Sequence, residues 1–91
     1  MPISFSDDEK IIVEKIQSYC LYQERCVKEV KNKLFSFKVN SKLAENIIQT
    51  LIDNDYLNEE RFSEMFVRGK LRIKKWGRIK LKYELRSKGI D

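Results

Sequence analysis

Few side chains in this sequence are suited to bond-making chemistry. It has no histidine, two cysteines, and nineteen lysines and arginines against fourteen acids. Histidine is the usual general base of hydrolytic sites and a frequent partner of cysteine around zinc. Without it, Cys20 and Cys26 lack a second ligand set, and they are expected as reduced, partly buried thiols. The paired carboxylates Asp7-Asp8 and Glu59-Glu60 stand where helices should begin, and there negative charge is stabilised by the helix dipole. No catalytic residues, metal site or cofactor are expected.

Positive charge is what the chain concentrates. Between Arg68 and Asp91 ten cations meet only Glu84 and Asp91, a net +8, whereas Met1 to Val67 holds nine cations and twelve acids, a net −3. Such clustering suits a polyanion or an acidic protein groove and contributes nothing to a core. The candidate binding residues are therefore Arg68, Lys70, Arg72, Lys74, Lys75, Arg78, Lys80, Lys82, Arg86 and Lys88.

The elements that must position them follow from hydrophobic period. Ser6 with Glu9 forms a capping-box pattern, after which Ile12, Val13, Ile16, Tyr19 and Cys20 line one face of a helix from about Asp7 to Tyr22. A second helix is expected from about Glu24 to Phe35, with Val27, Val30 and Leu34 inward. Asn40 or Ser41 caps a third, in which Ala44, Ile47, Ile48 and Leu51 recur until about Asn54. A fourth starts after Asn58 and is expected to continue to about Lys75; Gly77 then breaks the chain. A fifth runs from Arg78 to Ser87, with Gly89 placed for a left-handed cap.

On a wheel of about 100° per residue, the fourth helix gathers Phe62, Met65, Phe66, Gly69 and Ile73 on one face, with Trp76 at its far end. Core packing is the expected use of that stripe. Arg68, Arg72 and Lys75 fall on one flank, Lys70 and Lys74 on the other. Val67 and Leu71 point away, either covered by another helix of the chain or free as an apolar foothold for a partner.

The chain also repeats. At an offset of 51, Val30 matches Leu81, Lys31 Lys82, Leu34 Leu85, Ser36 Ser87 and Val39 Ile90; at an offset of 53, Ile12 matches Met65, Val13 Phe66 and Cys20 Ile73. The expected architecture is all-α, built of tandem three-helix repeats: one complete unit over residues 1–57 and the first two helices of a second over 58–91. A groove along Leu81 and Leu85 would then stay open, and dimerisation through it is one expected outcome.

The runs Asp55-Tyr56-Leu57-Asn58-Glu59-Glu60-Arg61-Phe62, Phe66-Val67-Arg68, Trp76-Gly77-Arg78-Ile79-Lys80 and Glu84-Leu85-Arg86-Ser87-Lys88-Gly89-Ile90 resemble the RecX family of bacterial recombination regulators. Val30, Lys33-Leu34 and Ile47-Ile48 fit the same pattern upstream. The resemblance implies three consecutive three-helix units, of which about four helices would be missing here. It also implies a non-catalytic regulator that lies in the groove of the RecA filament on single-stranded DNA and suppresses recombinase, ATPase and coprotease activities. Two positions depart from the family pattern: Lys38 stands where a glycine is usual, and Arg78 where a proline is usual. A strained or differently built first cap is expected at Lys38.

The alternative is a small basic helical DNA-binding module, in which lysine and arginine contact phosphates of single- or double-stranded DNA. Nothing in the sequence marks a base-reading helix. No segment approaches the roughly 20 apolar residues of a membrane span, and the acidic opening Met1–Asp8 lacks the pattern of a secretory signal. A cytoplasmic location is expected.

Overall fold

A computed structural model describes residues 4–90, so the first three positions of the acidic opening and Asp91, one of the two acids of the basic end, lie outside the described residues. These residues form an all-α fold: α1 (Asp7–Tyr22), α2 (Val27–Ser36), α3 (Ser41–Asp53), α4 (Glu59–Gly69), a π-helical segment (Lys70–Lys74) and α5 (Arg78–Ser87). The shape is elongated, 45 × 23 × 20 Å. Among the described residues no helix is long and apolar enough to cross a membrane.

Each start has a local cause. Ser6 Oγ accepts from Glu9 N while Ser6 N donates to Glu9 Oε1, so two otherwise unpaired amides are satisfied together. Asn40 Oδ1 accepts from Leu43 N, and Asn58 Oδ1 from Arg61 N. The second helix begins at Val27, later than the expected Glu24. Glu24 is drawn out of the helix by Arg61, and Cys26 donates its N–H to Glu29 as the residue before the first turn.

Helix periodicity then builds the main core. Val13, Ile16 and Cys20 of α1, Val30 and Leu34 of α2, and Ala44, Ile47 and Leu51 of α3 close on one another, with Val39 and Leu57 sealing the ends. Three buried residues lie outside this cluster: Cys26, Phe62 and Leu81. They mark the seam between the first three helices and the remainder.

The ends of α2 and α5 are built alike. Phe37 N and Val39 N donate to Leu34 O while Lys38 N donates to Phe35 O; 51 residues on, Lys88 N and Ile90 N donate to Leu85 O while Gly89 N donates to Arg86 O. Both turns need a left-handed residue, supplied by Gly89 at φ 80° and by Lys38 at φ 61°. Lysine at that φ is strained by about 1 kcal/mol relative to glycine. The strain expected at Lys38 is present.

The fourth helix departs from its expected course. The α-helical pattern stops at Gly69, and the next turn widens, so that both Lys75 N and Trp76 N reach back to Lys70 O. Lys75, at φ 55°, ends it. Projection at about 100° per residue therefore fails beyond Gly69, where Ile73 is 78% exposed; Met65, still within regular α4, is 47% exposed because no core reaches that side of the helix. Phe62 alone of the stripe is buried.

Candidate functional site

Phe66 and Trp76 organise the basic end. The wide turn returns Trp76 to Phe66 edge-on, with ring centroids 6.1 Å apart, and Phe66 in turn stacks on Phe62 at 5.7 Å. Lys70 Nζ lies 4.8 Å from the Trp76 centroid and 5.4 Å from that of Phe66; Lys80 Nζ lies 4.6 Å from Trp76, and Lys88 Nζ 5.8 Å from Phe66. An aromatic face attracts an ammonium group through its quadrupole without cancelling its charge. Three lysines, one from the π segment, one from α5 and one just past its end, are thereby gathered around two rings.

The expected grouping of flanks on one helix gives way to this one across the turn. Lys70 joins Lys80 and Lys88, while Arg68, Arg72, Lys74 and Lys75 project from α4 and the π segment, all exposed. Arg78, Lys82 and Arg86 are exposed along α5. Among the described residues the ion pairs are those of Arg61 with Glu24 and with Asp55, so none of the ten candidates is internally neutralised there.

The apolar candidates split. Val67 is half-buried and Leu71 is 48% exposed, uncovered by another helix of the described chain. The groove expected along Leu81 and Leu85 is largely closed, since Leu81 is buried and Leu85 half-buried. Ile79 and Tyr83 form a second apolar side of α5, and that side is open.

A polar seam went unnoticed in the sequence because its partners are far apart. Val27 N donates to Glu59 Oε2 at 3.2 Å, giving the start of α2 a carboxylate from the start of α4. Lys28 Nζ donates to Ser87 O at 2.7 Å, satisfying a carbonyl in the last turn of α5. Arg61 reaches Glu24 at 2.6 Å and both the carboxylate and carbonyl of Asp55, and the Glu24 hydrogen bond holds its guanidinium above the ordinary arginine value. Together these fix α4 and α5, and hence the basic surface, against α2. Burial raises the pKa of both Cys20 and Cys26, so the thiols are protonated at neutral pH.

Residues 58–91 match the family model described as RecX, second three-helix domain. The crystal structure of RecX from Lactobacillus salivarius superimposes with a TM-score of 0.85 at 33% identity, over 96% of this chain and 56% of that one. This chain belongs to the RecX family. The Regulatory protein RecX of Clostridium acetobutylicum is 38% identical over 64 residues, covering 70% of this chain and 29% of its own length. That of Prosthecochloris aestuarii is 31% identical over 88 residues, covering 97% and 58%. The chain thus spans between about three-tenths and three-fifths of these two curated relatives. The RecX-like run from Asp55 to Phe62 supplies most of the seam: Asn58 caps α4, Glu59 meets α2, Arg61 bridges Glu24 and Asp55, and Phe62 is buried.

Proposed function

We propose that this RecX-family chain is a non-catalytic regulatory module that binds the RecA filament on single-stranded DNA and restrains its recombinase, ATPase and coprotease activities. It acts in the cytoplasm, in recombinational repair and the SOS response. Its residues 1–57 act as one three-helix unit and 58–91 as the first two helices of a second. The observation that carries the reading is the unneutralised basic surface from Arg68 to Lys88, held in one orientation by the seam to α2. An elongated array of helical units suits a filament because it can touch successive protomers, and linked weak contacts add up to strong binding.

The test is co-sedimentation with RecA assembled on single-stranded DNA, beside labelled DNA alone at two salt concentrations. Retention on the filament with little binding to bare DNA is expected. Binding to bare DNA that falls by about a thousandfold or more between 50 and 200 mM salt, the signature of six or more phosphate contacts, would establish the DNA-binding alternative instead. The chain alone should inhibit more weakly than a full-length relative, and equal inhibition at equal concentration would remove the argument from linked units.

A further inference from the structure

Helix α5 carries apolar side chains on opposite faces. At about 100° per residue, Leu81 and Leu85 lie across the helix from Ile79 and Tyr83. Leu81 is buried and Leu85 half-buried, whereas Ile79 is 87% exposed and Tyr83 71% exposed. Whatever packs on the Leu81 side cannot reach the other. The two exposed residues are four apart, so they form one continuous strip, and they line a shallow groove with Gly77, Arg78, Lys80 and the half-buried Glu84, the single acid among four nearby cations.

Charge says what fits there. Arg78 and Lys82 flank the strip on one side, Lys80 flanks it on the other, and Arg86 continues it; all four are exposed and without ion pairs among the described residues. We infer that the Ile79–Tyr83 strip of α5 packs against an acidic amphipathic helix of a protein partner, its apolar side chains centred on the strip and its carboxylates paired with the flanking cations. Flanking charges of opposite sign set the pairing of such helices, and tyrosine and arginine are favoured anchors of protein interfaces. A nucleic acid would use the cations but leave Ile79 exposed. A second copy related by a two-fold axis would set these cations against themselves.

This inference rests on the reading that the basic end meets an acidic partner, and it replaces Val67 and Leu71 as the apolar anchor. The probe is a labelled helical peptide with leucines at three- and four-residue spacing flanked by glutamates, titrated with the 91-residue chain by fluorescence anisotropy. The double variant Ile79→Ala/Tyr83→Ala, whose fold is checked by circular dichroism, should bind at least about tenfold more weakly, while Leu71→Ala binds as the parent does. Equal binding by parent and double variant, or equal binding of a peptide with lysines in place of the glutamates, would overturn the inference. So would a loss confined to oligonucleotide binding, or a concentration-dependent dimer of the parent that the double variant abolishes. Failure on RecA filaments with the peptide result intact would count against the proposed function and leave the strip's chemistry standing.

Discussion

Val39 is buried where α2 ends, and Ile90, at the matching place after α5, is half exposed. The same contrast runs through the two halves: Leu34 is sealed and Leu85 is not, and Val13 and Cys20 are covered while Phe66 is half-buried and Ile73 open. One backbone pattern thus serves two purposes. The first three helices enclose a core and form a base; α4, the π segment and α5 lean on that base through Phe62, Leu81 and the polar seam, and spend the rest of their surface on charge and open apolar groups.

The largest break in the comparison comes from equal truncations on the two sides. Ile47→Ala removes a side chain that is 0% exposed and should lower the unfolding free energy by about 2–5 kcal/mol. The same change at Ile79 should cost less than about 0.5 kcal/mol. Urea titration followed by circular dichroism measures both. Similar losses would mean that Ile79 is covered in solution, and the distinction between a closed and an open half would be gone.

Lys38 and Gly89 sharpen the contrast at a smaller scale, because hydrogen bonding around them is the same and only the residue differs. Lys38→Gly should raise stability by about 0.5–1 kcal/mol, relief of left-handed strain outweighing the extra freedom of glycine when unfolded. Gly89→Ala should lower it, since the obstacle there is φ 80° and no neighbouring atom lies within 4 Å of an added methyl. Opposite signs at the two sites, measured as shifts in thermal midpoint, are the expected result.

Five helices, the caps of α1, α3 and α4 and most of the first core were legible in the sequence because each depends on local spacing: Ser6 with Glu9, Asn58 before Glu59, and a single apolar stripe in α3. The course of the chain after Gly69 was not. A π turn leaves every residue type unchanged and alters only which carbonyl an N–H meets, so a regular helix puts Ile73 on the apolar stripe and Arg72 and Lys74 on its flanks. The seam was hidden for another reason, since Glu59 and Arg61 look like ordinary first-turn residues until α2 is brought beside them. All ten candidate cations can be named from composition, but the gathering of Lys70, Lys80 and Lys88 depends on where Phe66 and Trp76 meet.

The seam itself can be weakened without touching either core. Glu59→Gln removes the carboxylate at the start of α2 and should cost about 0.5–1 kcal/mol, the size of a partly exposed helix-dipole contact. Lys28→Met should cost a few tenths of a kcal/mol because its contact with Ser87 O is exposed. If the seam orients the basic end, both variants should also weaken partner binding, although neither residue belongs to the charged surface. Variants that lose stability but bind unchanged would show that the seam supports the fold alone.

The two cysteines give the finest test, because one lies in each region. Cys20 belongs to the first core, while Cys26 is buried at the seam beside the second half. A thiol reacts as its thiolate, and only after exposure, so its alkylation rate reports how often its surroundings open. Separation of α4 and α5 from α2 frees Cys26 while the first core stays closed, so Cys26 should label about tenfold faster than Cys20 at neutral pH. Phe62→Ala should speed Cys26 and leave Cys20 nearly unchanged. Burial raises both folded-state pKa values above the reference of 9.0. The resulting preference for the folded chain is whole below pH 9.0 and is lost as pH rises through the folded values, where unfolded thiols ionise first. Stability from these two groups should therefore decline only above pH 9.0, in alkaline urea titrations, and Cys→Ala variants at both sites should flatten that decline. Identical labelling rates, unmoved by Phe62→Ala, would show that all five helices open as one unit, and that the basic half has no independent freedom to adjust to a partner.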